Sequence, residues 1–189
     1  MPEHAHGLLV LWNDVDPAVE VEYEDWHANE HVPERLTVPG IFWARRYERV
    51  GDGAMPRYMT LYGLSDGAVL QSEAYRRLLR EPTPASRRMR PALRNVCRWV
   101  CELLEDRSSE AVSVAARTLP LQGFERSSQS VERRTVARRD IGAADLPWLG
   151  GGQSSSVEGD WFVCEAQHAG TLFPATATVF RRLCISGKR

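Results

Sequence analysis

The sequence predicts an α+β fold in which split β-α-β-β-α-β units pack sheet to sheet. Three observations predict it. Across residues 7–106, short apolar runs of strand length alternate with two stretches of helical periodicity. A glycine-bearing turn, Gly51-Asp52-Gly53, joins the second and third of those runs as a hairpin. Finally, two helices cover only one face of a four-stranded sheet, so its other apolar face must be buried against a second sheet.

Leu8-Leu9-Val10-Leu11-Trp12 is a short apolar run and reads as a buried strand. It ends at Asn13-Asp14-Val15-Asp16-Pro17, where an acidic cap candidate precedes proline at a first helical position. Val19, Tyr23, Trp26, Glu30 and Glu34 then recur at steps of three and four, with His27 and His31 alongside. That is one face of an amphipathic helix. Pro33, and then Pro39-Gly40, are expected to end it. Ile41 to Val50 is strand-like, and Arg57 to Leu64 returns with β-branched and aromatic residues. Asp66 to Arg80 reads as a second helix, Glu81 to Pro91 as an extended linker, and Val96 to Leu104 as a fourth strand.

The second half repeats this pattern more weakly, and we read residues 110–185 as a shorter, degenerate copy of the unit at 7–106. Ala111 to Ala116 reads as a strand, Leu121 to Val131 as a helix, and Arg134 to Ile141 with Trp161 to Gln167 as paired strands. Thr171 to Leu183 reads as a further helix, which leaves almost nothing for a last strand. The Gly150-Gly151-Gly152-Gln153-Ser154-Ser155-Ser156 tract reads as a flexible loop. An internal pair of units is sufficient as a monomer. A missing last strand would instead leave an edge that favours a homodimer.

Composition excludes several classes of function. A net charge of −1 gives no electrostatic reason to expect nucleic acid or an anionic membrane as partner. No apolar run approaches the roughly 20 residues needed to cross a bilayer. The N-terminal residues Met1-Pro2-Glu3-His4 lack the pattern of a signal peptide, so a cytoplasmic protein is expected. The four cysteines include no CxxC pair and read as reduced thiols.

Several strings in residues 8–104 carry a family resemblance. They are Trp26-x3-Glu30-His31-x-Pro33, Leu36-x2-Pro39-Gly40, Ala44-Arg45-Arg46-Tyr47, and Arg57-Tyr58-x3-Tyr62-x-Leu64. Together with the order of elements, and over about half of the chain, they resemble the EthD-like branch of the ferredoxin-like, dimeric α/β-barrel superfamily. That resemblance implies a small pocket between the first helix and the sheet, with no metal or organic cofactor. It also implies kinship with oxygenases, isomerases, cyclases, decarboxylases and dehydratases that act on aromatic or polyketide-like molecules, as in secondary metabolism. Fold alone does not select among them. The second half has no Trp-x3-Glu-His counterpart, its helix reading Phe124-Glu125-Arg126-Ser127.

His31 is the first catalytic candidate, because imidazole is the side chain whose ordinary pKa suits proton transfer near neutrality. Glu30 adjoins it in sequence, and His27 lies one helical turn away. A structural role for His31, locking the helix end by a hydrogen bond, explains its position equally well. His27-Ala28-Asn29-Glu30-His31 also matches the H-x-x-E-H zinc pattern. The match is short, Pro33 interrupts the helix, and no third ligand is placed, so no metal is expected. Trp12, Trp26, Trp43, Tyr58 and Tyr62 are pocket-wall candidates, each equally at home as a core aromatic. Arg45 is a candidate for binding a carboxylate or phenolate, though strand alternation alone leaves its face open. The leading expectation is a cofactor-independent enzyme using His31 as acid or base on an aromatic or polyketide-like small molecule. Isomerisation, dehydration, decarboxylation and oxygenation are all open. A non-catalytic small-molecule-binding or stress-related protein of the same fold is the alternative.

Overall fold

Eight antiparallel strands close into a barrel in which every strand has a hydrogen-bonded neighbour on both sides. The computed structural model describes residues 4–108, 111–123, 133–140, 157–167 and 176–187. The first half supplies β1 (Gly7–Val15), β2 (Ile41–Arg49), β3 (Tyr58–Leu64) and β4 (Leu93–Asp106). The second supplies β5 (Ser113–Leu119), β6 (Arg134–Arg139), β7 (Trp161–Ala166) and β8 (Thr178–Gly187). The order around the barrel is β1-β3-β2-β8-β5-β7-β6-β4. The first four strands therefore lie as β4-β1-β3-β2 and the last four as β8-β5-β7-β6, the same relative order twice. The seams between the halves are β2 with β8 and β4 with β6.

Three expectations need correction. Residues 178–183, expected in a helix, lie in β8, whose Phe180 is buried in the barrel core. Residues 176 and 177 precede that strand and are not helical, while 171–175, most of the helix expected at 121–131, and the Gly/Ser tract lie outside the described residues. With β8 in place, the described strands close the barrel through both seams. The linker at 81–91 contains a helix, α4 (Pro84–Met89), whose signal was present: the Thr83 hydroxyl accepts from the Ser86 amide at 3.0 Å, and Pro84 opens the first turn.

The third correction concerns Pro33. Helix α1 (Glu20–Trp26) is entered through the Asp16 cap and Pro17, and it does not stop at the proline. It widens into a π turn (His27–His31) and continues as α2 (Val32–Leu36). In that turn the Val32 amide donates to the His27 carbonyl, five residues back. The wider turn relieves the clash that proline makes with the carbonyl four residues before it, so the chain stays helical. The chain then turns at Gly40, whose φ of 89° is one that L side chains rarely adopt. After β3 the chain runs through α3 (Glu73–Arg80) and α4 into β4. No helix among the described residues is long and apolar enough to cross a membrane.

Strand alternation sorts side chains between lumen and outer face. One buried cluster contains residues from all eight strands, among them Trp12, Tyr47, Trp99, Phe162 and Phe180, which only the lumen permits. Trp12 packs edge-on against Trp99 and Phe162, at 5.4 and 5.7 Å between centroids. Trp43 also packs against this cluster, and its indole occupies the space where a Cβ on Gly63 would stand. A second cluster, including Leu9, Ile41, Ala44, Tyr62 and Val100, lies on the opposite face under the helices. Within the lumen Arg45 pairs with Asp106 through two hydrogen bonds of 2.8 and 2.6 Å. The Thr135 hydroxyl adds a third bond to Asp106 at 2.9 Å, and the Arg45 guanidinium stacks 3.7 Å over Trp43. Asp106 ends β4 and pairs in register with Thr135 near the start of β6, so this network ties the β4–β6 seam.

Removing one partner of that pair leaves a buried charge without compensation. Asp106→Ala should lower the unfolding free energy by ~3 kcal/mol, the lower end for a broken buried pair, because the Asp106 side chain is 18% exposed. The double variant Arg45→Met/Asp106→Leu should lose much less than Arg45→Met plus Asp106→Leu taken singly. Urea titrations of the four proteins check this.

Candidate functional site

The first helix lies across the outer face of the sheet and presents Tyr23, His27, His31 and Arg35 at successive steps of four. A regular α-helix would rotate such a series steadily around its axis. The π turn holds more residues per turn and brings the two histidine rings to 5.0 Å between centroids, inclined at 41°. Tyr23 packs on His27 at 5.4 Å and Trp26 on His31 at 4.6 Å. Beneath them Leu11, Thr60 and Arg46 form one row across β1, β3 and β2.

Between the helices and this face runs a narrow slot of about 50 Å³. Tyr23, Trp26, His27 and His31 wall it from the first helix, and Tyr75 and Leu79 from α3. Arg35 and Arg90 also line it, and Leu11 and Val96 belong to the sheet. A smaller adjoining void of about 10 Å³ is lined by His31, Arg35, Tyr62 and Tyr75. His31 and Arg35 therefore border both spaces.

The electrostatics follow from burial and from three nearby guanidinium groups. Burial holds His27 well below its ordinary 6.5, with Arg46 and then Arg35 adding to the effect. Burial does the same to His31, followed by Arg35, His27, Arg90 and Arg46. Both rings are neutral at neutral pH. Each has a buried Nδ1 that makes no hydrogen bond among the described residues. Arg46 lies buried on the outer face of β2, with Nη1 donating to Glu24 at 3.2 Å, while among the described residues Nε and Nη2 find no acceptor. The hydroxyls of Thr60 and Tyr62 are likewise buried without a hydrogen-bond partner among the described residues, and burial pushes the Tyr62 phenol up. Tyr23 and Asn13, by contrast, satisfy each other at 3.0 and 3.2 Å.

Of the sequence candidates, the structure brings together His27, His31 and Trp26 at the slot, with Tyr62 at the adjoining void. Trp12 borders the slot, but its ring belongs to the lumen. Trp43 and Arg45 lie wholly on the lumen side, and Asp106 occupies the Arg45 fork. Tyr58 is on the outer face but donates to Glu20 at 2.9 Å, away from the slot. Glu30 accepts a hydrogen bond from Thr83 and does not line the slot. Sequence reasoning missed Arg35, Arg46, Tyr75 and Arg90. Arg35 had a signal, since it extends the Tyr23-His27-His31 spacing by one more step of four. Among the described residues, no group of three or more His, Cys, Asp or Glu side chains is placed to hold a metal ion.

The two neutral histidines generate a pH dependence with a definite sign. The unfolded chain protonates them near 6.5, whereas the folded protein resists until well below. The unfolded state thus binds more protons below 6.5, and their contribution to stability is lost as pH falls from there toward the lowered folded values. Urea midpoints should be insensitive to these groups at neutral pH and should decline below 6.5. The double variant His27→Gln/His31→Gln should flatten that decline in the same pH series.

No family model matches this chain, and no curated protein matches it. In fold the chain is similar to a crystal structure of an anthrone oxidase-like protein, with a TM-score of 0.56. The likeness covers 98% of this chain and 93% of that chain at 9% sequence identity. At that identity it speaks for the fold, a mixed α+β chain closed into an antiparallel eight-stranded barrel.

Proposed function

We propose that this chain is a small-molecule enzyme in which His31 moves a proton on an aromatic or polyketide-like substrate, without a metal or organic cofactor. The observation that carries this reading is the pair of neighbouring, neutral histidines whose buried Nδ1 atoms make no hydrogen bond to the described residues, beside an aromatic-walled slot. A neutral imidazole accepts a proton and later returns it. His31 is the better placed of the two, because it borders both the slot and the adjoining void. His27 packs between His31 and Tyr23 and sets the ring's position. Glu30, held by Thr83, acts on helix placement instead.

Isomerisation, dehydration, decarboxylation and cofactor-free oxygenation of such substrates can all begin by forming a carbanion or enolate. The fold neighbour suggests anthrone as the first probe, since its methylene lies between two aromatic rings and opposite a carbonyl. Loss of a methylene proton to His31 gives the enolate. Reaction of that enolate with dioxygen balances overall as anthrone plus O₂ giving anthraquinone plus water.

In architecture, we read the chain as an internal tandem of ferredoxin-like units, 7–106 and 110–185, within the dimeric α/β-barrel superfamily and its EthD-like branch. The repeated strand order on the two sides of the seams supports the tandem. A second functional reading is a non-catalytic small-molecule-binding protein, and the size of the slot constrains both readings alike. About 50 Å³ is far below the roughly 300–1,000 Å³ of ordinary ligand pockets. An aromatic substrate enters only if the helices or Trp26 shift.

Deuterium exchange into the anthrone methylene in anaerobic D₂O reads proton abstraction apart from any later step. His31→Ala should slow this exchange by ~10²–10⁴-fold with little change in melting temperature. His31→Gln should not restore it, because an amide cannot exchange a proton near neutrality. His27→Ala should have a milder effect. Exchange undiminished in His31→Ala would overturn the catalytic role. Tight binding without exchange by the native protein would favour the second reading.

A further inference from the structure

We propose that the void beside the slot is a one-water site, through which Tyr62 holds His31 with its hydrogen on Nδ1. The inference deepens the reading of His31 as the proton-moving group and rests on it. The void measures about 10 Å³, and His31, Arg35, Tyr62 and Tyr75 line it together with apolar side chains of the sheet. That is about the room one water needs, provided that two or more polar groups receive it. Two such groups belong to its walls. Tyr62 is 1% exposed, and its buried hydroxyl makes no hydrogen bond among the described residues. The buried Nδ1 of His31 makes none either. The two come from different elements: Tyr62 stands on β3 opposite Leu9 and Ala44, and His31 closes the π turn. Their surroundings overlap, since Arg35 and Arg46 act on both.

One water has two hydrogens and two lone pairs. It accepts the Nδ1 hydrogen of His31 and donates to the phenol oxygen of Tyr62. Burial keeps both protein groups neutral near pH 7, raising the phenol and lowering the imidazole, so the bridge brings no charge against Leu9, Leu11 and Ile41. The bridge also decides what the ring can do. A neutral imidazole carries one N–H and one free lone pair, and the hydrogen bond made by one nitrogen sets the state of the other. With the hydrogen on Nδ1, Nε2 keeps the lone pair that takes a proton from a substrate in the slot, which His31 also lines. The opposite tautomer presents an N–H and no base. Tyr62 is thus a positioning residue that acts on His31 through the water. His27 does not line the void, so its tautomer is independent of Tyr62.

The test uses the full-length protein labelled with nitrogen-15 at histidine, with the His31 signals assigned by comparison with His31→Gln. In the native protein at neutral pH, His31 should carry its hydrogen on Nδ1. A high-resolution crystal structure should show one water within about 3.2 Å of both Nδ1 and the Tyr62 hydroxyl. Tyr62→Phe removes only the hydroxyl. It should shift His31 toward the Nε2–H tautomer, leave the His27 signals in place, and slow anthrone methylene exchange by ~10-fold, about the worth of one hydrogen bond. A dry void in crystals that order other buried waters would overturn the proposal, as would a native His31 protonated on Nε2. So would a tautomer or an exchange rate that Tyr62→Phe leaves unchanged. The two measurements on the native protein decide even if the variant fails to fold. Exchange that depends on His31 beside a dry void removes the water site and leaves the enzyme reading standing. A bridged Nδ1–H tautomer in a native protein that exchanges nothing supports the water site and removes the catalytic role.

Discussion

A closed antiparallel sheet gives each strand residue one of two addresses, and everything else in this protein depends on that constraint. Because all eight strands pair on both sides, no edge remains where a side chain can escape the choice between lumen and outer face. Along β2, Arg45 and Tyr47 face the lumen, while Ala44 and Arg46 face the helices. Two adjacent arginines are thereby given unrelated work. Arg45 ties the β4–β6 seam through Asp106, and Arg46 charges the floor beneath the first helix. The aromatics divide in the same way: Trp12, Trp43 and Trp99 fill the barrel, and Trp26 and Tyr62 face the spaces outside it.

The two faces also differ in how their polar groups are settled. In the lumen the Arg45–Asp106–Thr135 network is closed, with charge matched to charge. Under the first helix the guanidinium groups of Arg35, Arg46 and Arg90 act on two neutral histidines, and several buried polar atoms have no hydrogen-bond partner among the described residues. Unsatisfied buried groups are costly, and a folded protein keeps them most readily where a ligand can complete them. The π turn belongs to the same economy. It carries the helix past Pro33 and brings the His27 and His31 rings to 5.0 Å, so one local distortion both preserves the helix and pairs the histidines.

Much of this was legible in residues close together in the chain. The strand run at Leu8 to Trp12, the capped entry at Asp16-Pro17, the hairpin around Gly51 to Gly53, and the histidine face of the first helix all follow from local periodicity and turn chemistry. Local signals misled where a competing physical effect was stronger. Pro33 breaks an α-helix but not a π turn. Thr178 to Leu183 joins β8 because the barrel needs a strand between β2 and β5, whatever its own helical pattern suggested. Thr83-Pro84 is a helix start that the surrounding arginines and prolines obscured.

The sequence by itself determined the α+β class, the split order of the first four strands, and the placing of His27 and His31 on one helical face, because each depends on spacings of a few residues. Only the tertiary structure decided which arginines meet the histidines. Arg35 and Arg90 are brought to one slot from segments 55 positions apart, and Arg45 is withdrawn from it by a partner 61 positions away. Spacing along a chain sets which face of an element a residue occupies. What that face meets depends on how the sheet closes, and closure is a property of all eight strands together.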